Sequence, residues 1–178
     1  TFKWVRKDYF IRFAYEATDK LIRFTDYKDI KYRSRTVFSF HRPETLQDLL
    51  KQPDTIRNNM KHFPVLDETG FRKCQVNAIK KLEESFADNR PKALVQMATG
   101  AGKTFTAITA SYRLLKYGKI NRILFLVDTK GLGEQAEREF LAYTPTDDPR
   151  SFSQIYGVTR LTSSYIPGDL QVCISTIQ

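Results

Sequence analysis

The sequence predicts an α/β protein with a parallel β-sheet and helices on both faces, preceded by a small α+β module. From Phe71 onward, helical and extended patterns alternate, and strands separated by helices of this length imply parallel pairing through right-handed crossover connections. Before residue 63 the chain contains no glycine and is rich in aromatic residues, and apolar and polar residues alternate over short stretches. We therefore divide the chain into a front module, residues 1–62, and a core domain, residues 63–178.

The front module is predicted to form three short strands and a helix. Alternating apolar residues over 9–16 and 20–24 predict two strands joined at "ATD", and "RTVFSF" predicts a third. Pro43 suits a first helical turn, so a helix is expected from there to about Lys51. The segment "KHFPVLDETG", with its proline and glycine, is the expected boundary between the two parts.

The core domain begins with an amphipathic helix, because apolar residues recur at intervals of three and four from Val76 to Phe86. The next apolar stretch, "KALVQMA", predicts a short buried strand. A helix over "KTFTAITASYRLLKYG" should end at Gly118, and "GLGEQAEREFLAY" predicts another. The apolar stretches "RILFLVD" and "LQVCIST" predict two further buried strands.

The charge balance favours an anionic partner. The chain of 178 residues has 29 basic and 20 acidic side chains, a net charge of +9, and 14 of the basic side chains lie in the front module against 8 acidic ones. Nucleic acid is the commonest partner of such a protein. Because no apolar run approaches the ~18 residues of a membrane span and no signal peptide opens the chain, we expect no membrane partner and a cytoplasmic location. The chain starts at Thr1 and ends directly after an apolar stretch, so we expect a piece of a longer protein.

The stretch "QMATGAGKTFTA" has the composition of a phosphate-binding loop between a strand and a helix. Gly100 and Gly102 allow bare backbone N–H groups to approach a phosphate. Lys103 would add a positive charge, which makes it the candidate catalytic residue, and the Thr104 hydroxyl would bind Mg²⁺. The expected nucleotide-binding residues are Arg72, Gln75, Thr99, Gly100, Ala101, Gly102, Lys103, Thr104 and Phe105.

Gln75 is the candidate for base recognition. It lies at the start of the helix that precedes the loop, in "FRKCQVNAI". A side-chain amide can donate to N7 and accept from N6 of adenine at the same time. We therefore expect ATP, with Mg²⁺, as the nucleotide.

The motifs resemble those of superfamily 2 helicases and translocases. "MATGAGKT" has Met97 where the general loop motif has its first glycine, and motif I of that superfamily commonly begins with a non-glycine residue. "LFLVDTKGLGEQ" and "CISTIQ" resemble the next two segments, which line the nucleic-acid track. The resemblance implies these candidate DNA contacts: Thr129, Lys130, Gln135, Thr176 and Gln178.

Within that superfamily, the chain resembles the restriction (R) subunit of type I restriction-modification enzymes. "FSFHRPETLQDLL" resembles the linker after that family's nuclease domain, and "FRKCQVNAI" its adenine motif. The resemblance implies the start of a RecA-like motor domain, and an ATP-dependent translocase and nuclease in the complete protein. Its implied partners are duplex DNA and the methyltransferase and specificity subunits. The family's acidic magnesium motif and its arginines are expected beyond Gln178, so the chain alone should not hydrolyse ATP.

Three other interpretations remain open at this point. The chain could belong to another superfamily 2 helicase or repair translocase. It could be a P-loop small-molecule kinase, with Asp128 on magnesium. It could also be a nucleic-acid-binding module without catalytic activity. The nuclease residues are not identifiable, and we interpret Glu16, Asp19 and Asp29 as solvated acids at strand ends.

Overall fold

The computed structural model describes residues 9–163 and 165–177. Three antiparallel strands and two helices precede a helical and parallel-stranded region. The elements are β1 (Phe13–Ala17), β2 (Ile22–Asp26), β3 (Arg35–Val37), α1 (Pro43–Lys51), α2 (Ile56–Asn59) with a 3₁₀ turn (Met60–His62), α3 (Lys73–Ala87), α4 (Lys103–Lys116), β4 (Ile123–Val127), α5 (Lys130–Ala142), α6 (Phe152–Ile155), β5 (Val158–Arg160) and β6 (Val172–Thr176).

The front module contains an antiparallel sheet in the order β1-β2-β3, with Phe13 opposite Asp26. Phe24 is buried, and its ring lies 5.0 Å from the Tyr15 ring and 4.6 Å from the His41 ring. The first strand starts at Phe13, later than the sequence predicts. One residue earlier, the Arg12 side chain turns inward to pair with the Asp26 carboxylate instead of continuing the alternation.

Asp29 is not the solvated strand-end acid that the sequence suggested. Its side chain is 3% exposed, and its carboxylate pairs with the Arg35 guanidinium. The Asp29 backbone N–H also donates to the Asp26 carbonyl at 3.2 Å, in a turn that carries the side chain inward. The ion pair with Arg35 offsets part of the cost of burying the carboxylate.

The expected parallel sheet is present, in the order β4-β6-β5. Helices α4 and α5 cover one face of it, and the core there includes the fully buried Phe140, Phe152 and Ile174. On the other face of β4, Leu124 and Leu126 are 55% and 54% exposed. Over β4, the described residues therefore place helices on one face of the sheet and leave the other open.

The predicted buried strand "KALVQMA" is wrong. Residues 92–98 form no strand in the described structure, and Leu94 is 94% exposed. An extended segment becomes a strand only when a neighbour satisfies its backbone groups, and among the described residues β4 pairs only with β6. Sequence reasoning also missed the short elements α2, β5 and α6.

Two buried asparagines hold the turn over residues 28–31, and one of them, Asn89, joins the front module to the core domain. Asn89, just after α3, is 0% exposed and donates from Nδ2 to the Lys31 carbonyl at 3.0 Å. Asn58 in α2 accepts from the Ile30 backbone N–H at 2.9 Å and donates to the Lys28 carbonyl at 3.2 Å. The turn over residues 28–31 is thereby held against α2 and the end of α3.

The Arg113 side chain of α4 contacts α3 and the segment before it. Its guanidinium, 6% exposed as a residue, bonds the Glu83 carboxylate at 2.5 Å and the Pro64 carbonyl at 2.7 Å. The first contact fixes α4 against α3, and the second fixes α4 to the segment that precedes α3. Across the residues that the structure describes, no helix is long and apolar enough to span a membrane.

Candidate nucleotide-binding site

The glycine loop ends at the N-terminus of α4 in a conformation that only glycine adopts readily. Gly102 precedes the helix with φ of 84°, and Gly100 has φ of 76°. A β-carbon on Gly102 would also lie 2.3 Å from Gln75 Nε2, whereas one on Gly100 would meet nothing within 4 Å. Gly102 is therefore required both by the backbone turn and by the approach of α3 to the loop.

The start of α3 holds the loop through two carbonyl groups. Arg72 Nη1 donates to the Gly100 carbonyl at 2.7 Å, and Gln75 Nε2 donates to the Ala101 carbonyl at 3.0 Å. Gln75 is 6% exposed, and its Oε1 accepts from the Arg72 backbone N–H at 2.9 Å. The structure thus brings both residues of the sequence-predicted adenine motif to the glycine loop.

Both groups of the Gln75 amide are engaged in these contacts. Each nevertheless has capacity for one more hydrogen bond, because an amide nitrogen carries two hydrogens and an amide oxygen two lone pairs. Gln75 can therefore support the loop and still contact a base edge. Its role in base recognition remains a prediction.

Lys103 and Thr104 present the groups that a phosphate and a cation need. The Lys103 side chain is exposed, and its only bond within the described structure is a 3.3 Å contact from Nζ to the Ala98 carbonyl of the same loop. The Thr104 hydroxyl makes no hydrogen bond to any described residue. A ligand could take up both groups at little cost in broken contacts.

The first turn of α4 adds unpaired backbone donors. The first backbone hydrogen bond of this helix runs from Thr106 N–H to the Gly102 carbonyl at 2.9 Å. The N–H groups of Lys103, Thr104 and Phe105 precede that bond and lie at the positive end of the helix dipole. This is the local arrangement that binds anions in many proteins.

The remaining predicted loop residues have different surroundings. Thr99 is exposed beside Gly100. The Phe105 ring lies 5.2 Å from the Phe71 ring and 5.6 Å from the Tyr143 ring, so this side chain packs toward the residues just before α3 and just after α5. Any contact of Phe105 with a phosphate would come from its backbone N–H.

The candidate DNA contacts lie where parallel strands end. Val127 of β4 is paired with Thr176 of β6, so Thr129 and Lys130 follow one strand end beside the other. Thr129 caps α5 by accepting from the Leu132 N–H at 3.3 Å. Lys130 is exposed and Thr176 is half-buried. Gln135 donates to the Glu139 carboxylate at 2.7 Å, and Gln178 lies outside the described residues.

Sequence reasoning missed a polar cluster that fixes the far end of α4. The Asp147 carboxylate accepts hydrogen bonds from Tyr112 at 2.7 Å, from Lys116 at 2.9 Å and from Tyr117. Burial alone would raise the pKa of Asp147, but the three hydrogen bonds outweigh burial and hold that pKa below its ordinary value. Burial, followed by the Asp147 hydrogen bond, raises the pKa of Tyr112. The loop "TPTDD" carries no local pattern that predicts this cluster.

The fold and the loop together define a class of protein: an α/β domain with a glycine loop of the P-loop type before a helix. Comparison with known proteins specifies it further. Residues 68–178 match the family described as "Type III restriction enzyme, res subunit". Since the match covers more than half of the chain, the chain belongs to that family.

The relatives are endonuclease subunits of type I restriction enzymes. The chain is 33% identical over 168 residues to the EcoKI endonuclease subunit of Escherichia coli strain K12, which covers 92% of this chain and 14% of that protein. It is 27% identical over 146 residues to the SauCOLORF180P endonuclease subunit of Staphylococcus aureus strain COL, covering 78% and 15% respectively. A third relative, the EcoAI endonuclease subunit of Escherichia coli, is 41% identical over 66 residues, 37% of this chain and 8% of that protein.

These relatives confirm the resemblance found in the sequence motifs. The chain spans only about a seventh of the length of the first relatives it matches. No solved structure matches the chain.

Proposed function

We propose that this chain is the ATP-binding part of an ATP-dependent DNA translocase and restriction endonuclease subunit of the type I restriction-modification class. The observation that carries the proposal is the loop at the start of α4. Gly102 takes a left-handed conformation there, Lys103 bonds only a loop carbonyl and the Thr104 hydroxyl has no partner among the described residues. The relatives, all named type I restriction endonuclease subunits, support the class.

In this proposal the loop binds the β- and γ-phosphates of ATP. The backbone N–H groups at the start of α4 donate to phosphate oxygens, and the Lys103 ammonium neutralises part of their charge. The Thr104 hydroxyl is suited to bind Mg²⁺, since it has no hydrogen-bond partner in the described structure. When bound, Mg²⁺ would neutralise charge that develops on the transferring phosphoryl group. Gln75 would contact the adenine edge while it supports the Ala101 carbonyl.

DNA would contact the edge formed by the ends of β4 and β6. Lys130 can pair with a phosphate, and the Thr129 and Thr176 hydroxyls can donate to phosphate oxygens. Gln135 is the weaker candidate, because its amide already bonds Glu139. Contacts of this kind position a strand without reading its sequence. Sequence recognition would come from the specificity subunit, with the methyltransferase subunit in the same complex.

The test is DNA-dependent ATP hydrolysis and translocation by the full-length subunit, assembled with its partner subunits. We expect Lys103→Ala to abolish both activities and to leave the far-ultraviolet circular dichroism spectrum unchanged, because the exposed Lys103 side chain contributes no core packing. Lys92→Ala removes an exposed lysine outside the loop and should retain activity. Translocation by Lys103→Ala would contradict the proposal.

A further inference from the structure

A cavity lies where the front module meets the core domain. It has a volume of about 480 Å³, and none of the residues that line it belongs to the glycine loop. Volumes in this range are typical of small-molecule sites. Its walls come from both parts of the chain, and the apolar side chains include Phe24, Val37, Ile56, Met60, Phe86 and Leu114.

The charges that line this junction cavity do not balance. Arg12, Arg35 and Arg57 line it together with Asp26 and Asp29, so the arginines exceed the aspartates by one. A charged side chain that is buried beside apolar groups without a partner of opposite charge costs free energy. The distribution of the aspartates decides where the excess lies.

Arg12 and Asp26 neutralise each other. Arg12 Nε lies 2.9 Å from Asp26 Oδ1, and Nη2 lies 2.8 Å from Oδ2, with both side chains almost completely buried. Arg12 Nη1 also donates to the Leu49 carbonyl at 2.6 Å, which ties the front sheet to α1. This pair is therefore structural, and only Asp29 remains to compensate the other two arginines.

Arg35 and Arg57 keep unused donor capacity. Asp29 pairs with Arg35 Nη2, but Arg35 Nε is buried and has no hydrogen-bond partner among the described residues. No described carboxylate pairs with Arg57, which donates from Nη1 to the Phe86 carbonyl at 3.3 Å. Burial lowers the pKa of Arg57, the nearby charge of Arg35 lowers it further, and Asp29 acts in the opposite direction.

We propose that the junction cavity binds a small organic anion, with a carboxylate or phosphate monoester on an aromatic or branched apolar body. The guanidinium groups of Arg35 and Arg57, which line the cavity, receive the anionic group through charge-assisted hydrogen bonds. Phe24, Met60 and Phe86 contact the apolar body. Because the walls belong to both parts of the chain, a bound anion stabilises the junction between them.

Phenyl phosphate is the probe, titrated into the full-length subunit by isothermal calorimetry while saturating MgADP occupies the glycine loop. We expect saturable binding of phenyl phosphate and no binding of benzylamine, which has a similar body and the opposite charge. Arg57→Met should weaken the affinity about tenfold or more, the effect of losing one charge-assisted contact. Arg57→Lys keeps the positive charge, so it should lose less affinity for phenyl phosphate than Arg57→Met does.

Two further variants keep the test decisive. Arg35→Lys retains the positive charge but removes the planar guanidinium with its several donors, so it should also weaken binding several-fold even if Arg57→Met fails to fold. Arg23→Met removes an exposed arginine of β2 outside the cavity and should bind like wild type. Absence of saturable binding to the wild-type protein, wild-type affinity in both cavity variants, or equal weakening by Arg23→Met would each overturn the proposal.

Discussion

Gln75 and Gly102 approach each other so closely that any side chain at position 102 would displace the glutamine amide. A β-carbon there would lie 2.3 Å from Gln75 Nε2, the atom that donates to the Ala101 carbonyl. We expect Gly102→Ala to weaken ATP binding strongly, because it both strains a backbone with φ of 84° and breaks the contact that supports the loop. The measurement is the dissociation constant of ATP.

Gly100→Ala is the matched control for that prediction. Gly100 has a similar φ of 76°, but a β-carbon there meets nothing within 4 Å. Gly100→Ala should therefore weaken ATP binding only through backbone strain, by about 1 kcal/mol. Equal loss of ATP affinity in the two variants would show that the contact between Gln75 and Gly102 does not matter to the site.

Gln75→Ala should reduce the preference for ATP over GTP. The amide is proposed to contact adenine through two hydrogen bonds, and base-edge contacts of that kind contribute about 1 to 3 kcal/mol of discrimination. The ratio of kcat/KM for ATP and GTP in the full-length protein measures this effect. Gln96→Ala, at an exposed glutamine just before the loop, should leave the ratio unchanged. An unchanged ratio in Gln75→Ala would leave Gln75 with a supporting role only.

Asn89 should stabilise the junction between the front module and the core domain. Asn89→Gly removes the bond to the Lys31 carbonyl while tolerating the positive φ of 58°, so it should cost about 1 kcal/mol of unfolding free energy. Asn89→Ala loses the same bond and also strains the backbone, for about 1 kcal/mol more. Urea denaturation measures both. Finding Asn89→Ala as stable as Asn89→Gly would contradict this reading of the turn.

Asp147 should make stability depend on pH in the acid range. Its pKa lies below the ordinary value of 3.8 in the folded protein. A carboxyl with a lowered pKa stabilises the fold above its unfolded pKa, and that stabilisation disappears as pH falls through the folded value. The difference in unfolding free energy between wild type and Asp147→Asn should therefore be constant above about pH 5 and shrink below about pH 4.

Asp148→Asn is the control for the acid prediction. Hydrogen bonds from Arg150 lower the pKa of Asp148 to about 2, but the Arg150 side chain is 60% exposed and lies only two residues along the chain. Solvent screening makes such a pair a weak contributor to stability. A larger pH-dependent effect from Asp148→Asn than from Asp147→Asn would contradict the role assigned to the hydrogen bonds around Asp147.

The sequence predicted elements whose patterns are local. Pro43 predicted the start of α1, Gly118 the end of α4, and apolar runs predicted β4 and β6. The strand predicted for residues 92–98 was wrong because the apolar pattern there is that of a strand, whereas strand formation also depends on a pairing partner elsewhere in the chain. The same limit applies to the site: motif spacing predicted the glycine loop, but the contacts of Arg72 and Gln75 with loop carbonyls depend on how α3 packs against α4.

Asp29 shows a second limit of sequence reasoning. Acidic side chains near strand ends are usually solvated, so its burial had no local signal. Its pairing with Arg35 depends on how the chain turns between β2 and β3, and the cluster around Asp147 arises only when distant segments meet. Charged residues at such junctions are identified by structure alone.

The central claim, that the loop before α4 binds the phosphates of a nucleotide, is tested most directly by the affinities of ATP, ADP and adenosine for the Lys103→Ala variant. If Lys103 contacts the β- and γ-phosphates, its loss should weaken ATP about tenfold or more, weaken ADP less, and leave adenosine unchanged. Fluorescence competition on the full-length protein gives all three values. Unchanged ATP affinity, or an equal loss for adenosine, would contradict the account.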